Sequence, residues 1–235
     1  MALPKLNTPT YELELPSTGE KIKYRPFLVK EQKVLMMAQE GKDDKELNHA
    51  MTGLVSDCTF GTIDATNSPM FDIEYIFLRI RGKSVGEKVQ LELLCPDDEK
   101  TKVPVELDIS DINVTTVDGH TNIVNITPDC KVIFRYPYMK DMLGLPTDMN
   151  DTLKSFHILN TCIDSIHYGD DVYNRIDLTQ KEIDDFIDQM TTTQFEIVMG
   201  FFNTMPKIRH VISLTNPKTK VTSEVVLEGL ESFLE

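Results

Sequence analysis

The chain has 235 residues, 40% of them hydrophobic and 26% charged, with 11 glycines and 12 prolines; this is the make-up of an ordinary globular protein and excludes a collagen-like or mainly disordered chain. Asp and Glu number 38 against 24 Lys and Arg, a formal charge of −14, so a phosphate backbone is repelled and nucleic acid is not an expected partner. No apolar run reaches the roughly 18 residues that suggest a membrane span, and Met1-Ala2-Leu3-Pro4-Lys5 lacks an apolar signal segment, so a protein made and kept in the cytosol, without direct membrane contact, is expected. Such a length fits one large domain or two small ones.

Residues 10–25 read as a β-hairpin: Tyr11, Leu13 and Leu15 alternate with Glu12 and Glu14, Pro16-Ser17-Thr18-Gly19 supplies the turn, and Ile22 and Tyr24 alternate with lysines on the return. Arg25-Pro26-Phe27 breaks the strand. A helix is expected over Leu28–Glu40, stopped by Gly41, then a second with Leu47, Ala50, Met51, Leu54, Val55 and Cys58 on one face. A third opens with Ser68 as N-cap and Pro69 at its first position, carries Met70, Ile73, Ile76, Phe77 and Ile80, and ends at Gly82. Arg79, Arg81 and Lys83 fall near that end, where cations favour the negative pole of the helix dipole.

The period then changes to two. Val85, Val89, Leu91 and Leu93 face Val103, Val105, Leu107 and Ile109 across a polar turn at Pro96–Lys102, and strand-like pieces follow at 112–117, 122–126 and 130–136. Residues 84–136 are therefore expected to form a small antiparallel subdomain. Helices return at Tyr138–Leu143 and at about 152–167, where Leu153, Phe156, Leu159, Ile163 and Ile166 make a stripe. Thr179-Gln180-Lys181-Glu182 is a capping box, and Thr191 or Thr193 caps the next helix until Pro206 ends it. A last hairpin, Val211–Leu214 with Val221–Leu227 around Asn216-Pro217-Lys218, precedes a short segment from Gly229 to Leu234. The fold class is α+β: a mostly helical body with a hairpin at each end and an inserted β subdomain, divided as 1–83, 84–136 and 137–235, the last packing with the first.

The chemistry-bearing residues form no recognised catalytic or ligand pattern. Cys58, Cys95, Cys130 and Cys162 contain no CxxC pair, disulfides are not expected in the cytosol, and Cys58 and Cys162 sit on apolar helical stripes. There is no nucleophile elbow, glycine-rich phosphate loop or Walker lysine. His49, His120, His157, His167 and His210 include no helical metal pair, His157 and His167 lying far apart in one helical region. Asp43-Asp44, Asp97-Asp98-Glu99, Asp170-Asp171 and Asp184-Asp185 lack calcium-loop spacing and suit turns and helix starts. No cofactor and no metal is expected, and an enzyme would need carboxylates gathered from distant segments, as in a hydrolase. The eleven methionines suit an irregular core or an adaptable contact surface.

Two hairpins share letters: Leu94-Cys95-Pro96 with Lys100-Thr101-Lys102-Val103, and Thr215-Asn216-Pro217 with Lys218-Thr219-Lys220-Val221. Convergent turn chemistry explains this; so does descent from zinc-ribbon hairpins, although the ligands for zinc are missing. The start Met1–Asn7, Tyr24-Arg25-Pro26-Phe27-Leu28 with Lys30-Glu31-Gln32-Lys33, and the closing Met205-Pro206-Lys207-Ile208, Thr215-Asn216-Pro217 and Leu227-Glu228-Gly229-Leu230-Glu231-Ser232-Phe233-Leu234 resemble the baseplate hub proteins of T-even-like contractile-tailed bacteriophages. Relatives in that family can carry CxxC pairs at such hairpins, where this sequence has only Cys95.

The resemblance implies a non-enzymatic structural or assembly protein of the hub, touching other baseplate or tail proteins, either kept in the tail or acting as a transient assembly chaperone in the host cytoplasm. Arg25, Pro26 and Phe27 are the leading contact or fold-anchoring candidates, Pro26 fixing the corner and Phe27 supplying a buried body; Pro217, Gly229 and Phe233 complete the set.

Overall fold

The computed structural model describes residues 6–41, 44–145 and 149–233. In chain order these form β1 (Tyr11–Glu14), β2 (Lys21–Tyr24), α1 (Val29–Gly41), α2 (Asp44–Cys58), α3 (Met70–Val85), β3 (Lys88–Leu94), β4 (Lys102–Asp108), β5 (Asn113–Thr115), β6 (Ile123–Thr127), β7 (Cys130–Phe134), α4 (Met139–Leu143), α5 (Asp151–Cys162), β8 (Ile163–Tyr168), β9 (Asp171–Asn174), α6 (Gln180–Asp188), α7 (Thr192–Thr204), β10 (Lys207–Thr215) and β11 (Thr222–Glu228). Short 3₁₀ turns occupy Ile109–Asp111, Arg175–Asp177 and Leu230–Phe233. The fold is α+β, with every strand pair antiparallel.

The chain divides into two units, Met1–Thr115 with Lys207–Glu235, and Thr116–Pro206. The strands expected over 84–136 are present but do not share one sheet. β3 pairs with β4, β5 joins β10 and β11, and β6 and β7 open a four-stranded sheet in the order β6-β7-β8-β9.

In the first unit α3 is the central element, with Phe71, Ile73, Ile76, Phe77, Leu78 and Ile80 all buried. Too many faces are covered for a simple amphipathic stripe. The helix runs past Gly82, which is buried inside it, to Val85, and the positive-φ residue that ends it is Gly86 (φ 111), whose N–H bonds Gly82 O. Its N-cap is Pro69, while the Ser68 hydroxyl turns back to Asp64 O at 2.8 Å. Nor do the cations near its end simply cap a dipole. Arg79 donates to Ile109 O, Ser110 O and Ile112 O at 2.7–3.2 Å, holding the 3₁₀ turn that leads into β5, and Lys83 pairs with Glu87 at 2.5 Å. Buried Asp72 accepts the Ser17 N–H at 3.0 Å and the Ser17 hydroxyl, which pins the β1–β2 turn.

In the second unit, the sheet's inner face (Val124, Val132, Phe134, Ile163, Ile166) packs on α5, α6 and α7 through Leu159, Ile183, Ile187, Val198 and Phe201. The stripe expected over 152–167 is split: α5 ends at Cys162, and Ile163–Tyr168 is β8, paired with β7. Ile163 and Ile166 are buried either way; β-branched residues beside a waiting strand take the sheet. His157 and His167 consequently lie on different elements. The expected capping box of Thr179 with Glu182 forms, and of the two candidate caps for the next helix it is Thr191, boxed with Gln194, that serves.

Candidate functional site: two arginine corners and two joined turns

β2 delivers Tyr24 to the core, and the chain turns at Arg25. Its side chain is 11% exposed and donates to Pro26 O and Glu31 Oε1, each at 3.0 Å. Glu31, on the first turn of α1, accepts the Leu28 N–H at 2.6 Å through its other oxygen, and Lys30 approaches at 3.0 Å. Burial pushes the Glu31 carboxyl up, but the bonds from Arg25, Lys30 and the Leu28 amide outweigh it and leave it below its ordinary value. The Arg25 N–H donates to Cys58 O at 2.9 Å, tying the corner to the end of α2.

The second unit repeats this construction group for group. β7 ends in buried Phe134, and Arg135 donates to Tyr136 O at 3.0 Å and to both carboxylate oxygens of Asp141, on α4, at 2.7 and 3.0 Å. Asp141 accepts the Tyr138 N–H at 2.8 Å, and the Arg135 N–H reaches Cys162 O at 2.8 Å. In both corners a planar guanidinium joins a buried carboxylate, a carbonyl and a helix start. Each helix-end cysteine is fully buried, and burial raises its thiol to about 11 for Cys58 and about 12 for Cys162. Neither is available as a thiolate nucleophile at neutral pH.

The turns after β3 and β10 are also a pair. Glu99 N bonds Cys95 O and Lys220 N bonds Asn216 O, both at 2.9 Å, with Glu99 (φ 50) and Lys220 (φ 66) both left-handed. Their likeness therefore extends from letters to backbone conformation. The turns are joined: the Asp97 carboxylate accepts buried Asn216 Nδ2 at 3.0 and 3.1 Å and the Thr219 hydroxyl, bonds that hold it below the usual carboxylate range. Asp98 accepts the Thr101 hydroxyl and the Lys100 and Thr101 amides, which lower it as well. One buried thiol beside oxygens already spent on hydrogen bonds does not suit tetrahedral zinc. Among the described residues no group of three His, Cys, Asp or Glu is placed to hold a metal ion, and no helix is long and apolar enough to cross a membrane.

The sequence candidates fall at three places. Arg25, Pro26 and Phe27 make the first corner, where Phe27 is only half-buried and donates its N–H to Ser84 Oγ at 2.9 Å; the buried aromatic there is Tyr24. Pro217 is exposed at the tip of β10–β11. Gly229 has φ 75 and donates to Ile208 O at 3.0 Å, and Phe233 is buried in the closing 3₁₀ turn. The sequence reading missed Arg135, Asp141 and the Asp97 network. The signal for the corner was there: Tyr24-Arg25 with Glu31 recurs as Phe134-Arg135 with Asp141 at the same internal spacing, each followed by a cysteine.

A further polar group sits half-buried in the second unit. His120 stacks on Tyr136 and packs on Phe201, with Nδ1 2.9 Å from Thr204 Oγ1 and Nε2 3.2 Å from the Tyr136 hydroxyl. Thr204 gives its own proton to Gly200 O at 2.7 Å, so His120 donates from Nδ1 and accepts at Nε2 as the neutral ring. Burial lowers its pKa.

The polar groups described so far are spent on holding corners and turns. The chain belongs to the T4 bacteriophage base plate protein family, whose model matches residues 8–235; it has a baseplate assembly or structural role in a contractile-tailed phage. Among curated proteins it is similar to the baseplate hub assembly protein gp26 of Enterobacteria phage T4, 23% identical over 225 residues that cover 96% of this chain and 98% of the relative. No solved structure matches.

Proposed function

We propose that this protein takes part in building the central hub of the baseplate, in the host cytoplasm, by making contacts with other baseplate or tail proteins and without covalent chemistry. The observation that carries the reading is the near end-to-end match to a hub assembly protein. The corners support it: the most enclosed ion pairs brace strand-to-helix turns, and Cys58 and Cys162 are held as thiols.

Deleting the gene and examining lysates by electron microscopy tests the proposal. Tail-less heads and absent baseplates are expected, with restoration by the wild-type gene in trans; normal tails in the deletion strain overturn it. Mass spectrometry of purified virions then separates a retained subunit from a factor that leaves, and native mass spectrometry of co-expressed hub proteins gives the partner and stoichiometry.

A further inference from the structure

The four-stranded sheet of the second unit ends on β9, whose outer side pairs with no strand among the described residues. All four residues of β9 are exposed. The register aligns Val124, Val132, Ile166 and Tyr173 in one row across the sheet. The first three are buried, while Tyr173 is 44% exposed, so the apolar row runs out through the edge. Val172 is 53% exposed on the strand and Ile176, just beyond it, 91%.

Tyr168 and Asp171 flank a two-residue turn that begins with Gly169 at φ 58. The residues closing such a hairpin exchange both hydrogen bonds, and bonding alternates from there. Asp171 and Tyr173 therefore bond inward to β8, while Val172 turns its N–H and C=O away from the sheet; Asn174 turns its N–H outward, its C=O serving as the N-cap of the 3₁₀ turn Arg175–Asp177. Edges are blunted by shortness, charge, proline or a bulge; Asp-Val-Tyr-Asn has no proline and no bulge, and its protection is its four-residue length and the charge of Asp171, which repels acidic edges and not a basic one.

Charge decides what such an edge accepts. Asp164, Asp170, Asp171 and Asp177 are exposed around it. Of the nearby cations, Arg175 has its guanidinium held by Leu178 O at 3.0 Å and Gln180 Oε1 at 3.1 Å, and Lys131 lies two strands in from the edge, in the row Lys131–His167–Val172. A second copy of this chain would bring aspartates against aspartates; a basic strand would be drawn in and other acidic edges refused.

We propose that β9 is a docking edge that receives an extended segment of a neighbouring baseplate protein, one with Lys or Arg beside apolar residues, as a fifth strand of the sheet. This rests on the proposed assembly role and adds to it the place of contact and the partner's chemistry.

Asn174→Pro is the sharpest test. Asn174 has φ −80, within proline's range, and its N–H points outward, so the substitution removes an edge donor without costing a bond to β8. The variant is expected to keep the wild-type circular dichroism and melting midpoint yet to complement the gene deletion at least about tenfold less well in phage yield, the factor that loss of a modest contact gives. Asp170→Lys with Asp171→Lys, on the exposed turn, is expected to do the same through charge, and decides the matter should the proline variant fail to fold. With p-benzoylphenylalanine in place of Tyr173, photo-cross-linking in infected cells is expected to trap a basic peptide of another baseplate protein, whereas the same group in place of Lys220 does not trap it. Wild-type yield from both folded variants, a trapped second copy of this chain, an acidic peptide, or no peptide specific to position 173 would each overturn the docking edge. Those results leave the assembly role standing, since only normal tails in the deletion strain remove that.

Discussion

At the first corner the chain leaves Cys58 through Phe60 and Gly61, both left-handed at φ 58 and 69, and the hairpin β1–β2 stays a two-stranded sheet. At the second it leaves Cys162 directly into Ile163-Asp164-Ser165-Ile166, which pairs with β7, and the hairpin β6–β7 grows to four strands. The bond from arginine N–H to cysteine carbonyl is present in both. In the second unit it marks where a new strand begins, and in the first it stands alone. The clamp thus sets the corner, and the residues after the cysteine decide whether a sheet is built on it: a left-handed turn diverts the chain, while β-branched residues continue it as a strand. The open edge at β9 exists only because the second route was taken.

Removing each arginine is the strongest way to break this parallel. Arg135→Ala leaves Asp141 buried without its bidentate partner, and the expected loss is about 3–5 kcal/mol of unfolding free energy. Arg25→Ala is expected to cost less, toward about 3 kcal/mol, because Arg25 gives Glu31 one bond where Arg135 gives Asp141 two, and Lys30, 3.0 Å from Glu31, remains after the substitution. Urea unfolding of both variants measures the difference. Equal losses, or a larger one for Arg25, would show that Lys30 does not share the load. Arg135→Met with Asp141→Leu is expected to recover much of the loss, since the damage in the single variant is an uncompensated buried charge.

Acid should separate the two units. Glu31 is held below its ordinary value of 4.5 and His120 below 6.5. Both are depressed in the fold, so both contribute stability that is complete above the ordinary value and drains as pH falls through the folded one. The second unit should therefore loosen first, as pH drops below 6.5, and the corner of the first unit only below 4.5. Amide exchange followed peptide by peptide from about pH 7 to about pH 4 reads the order. With His120→Phe the earlier step should vanish while the later one stays. Simultaneous loosening of β1–β2 and β6–β7 in the wild type would show that these two groups do not set the acid response.

Local devices were legible in the sequence and distant ones were not. The Thr179–Glu182 and Thr191–Gln194 caps were readable because the partners lie within one turn. So were the hairpins around Pro16–Gly19, Pro96 and Pro217, whose turn chemistry is in the turn itself. Arg25 was singled out for the corner it follows, but its ion pair with Glu31 was not, because two residues six apart meet only once strand and helix have bent toward each other. The break at Cys162 was hidden for a related reason: Ile163 and Ile166 satisfy a helical stripe, and the choice of strand comes from β7, which the local pattern does not contain. β9 is four residues long, with no buried side chain to give it a period. The join at Asp97 links side chains more than a hundred positions apart, and either turn read alone shows only its own geometry.

The smallest expected effect concerns the cysteines at the foot of each clamp, and it sharpens the comparison by predicting sameness. Cys58 and Cys162 lead into different backbone paths, yet both thiols are fully enclosed, and burial is the first cause of both upward shifts, to about 11 and about 12. In each case the neighbouring arginine, Arg25 or Arg135, pulls the other way and is outweighed. A thiol reagent at about pH 8 should leave both unlabelled in the native protein, because reaction needs both the thiolate and access to it. Both should label in urea, at midpoints that track global unfolding. In Arg25→Ala, exposure of Cys58 should run ahead of Cys162, and in Arg135→Ala the order should reverse, which mass mapping of the labelled peptides resolves. Labelling of either cysteine in the folded wild-type protein would mean that the carbonyl bond behind it opens without the rest of its unit, and that the arginine corner does not close off the end of the helix.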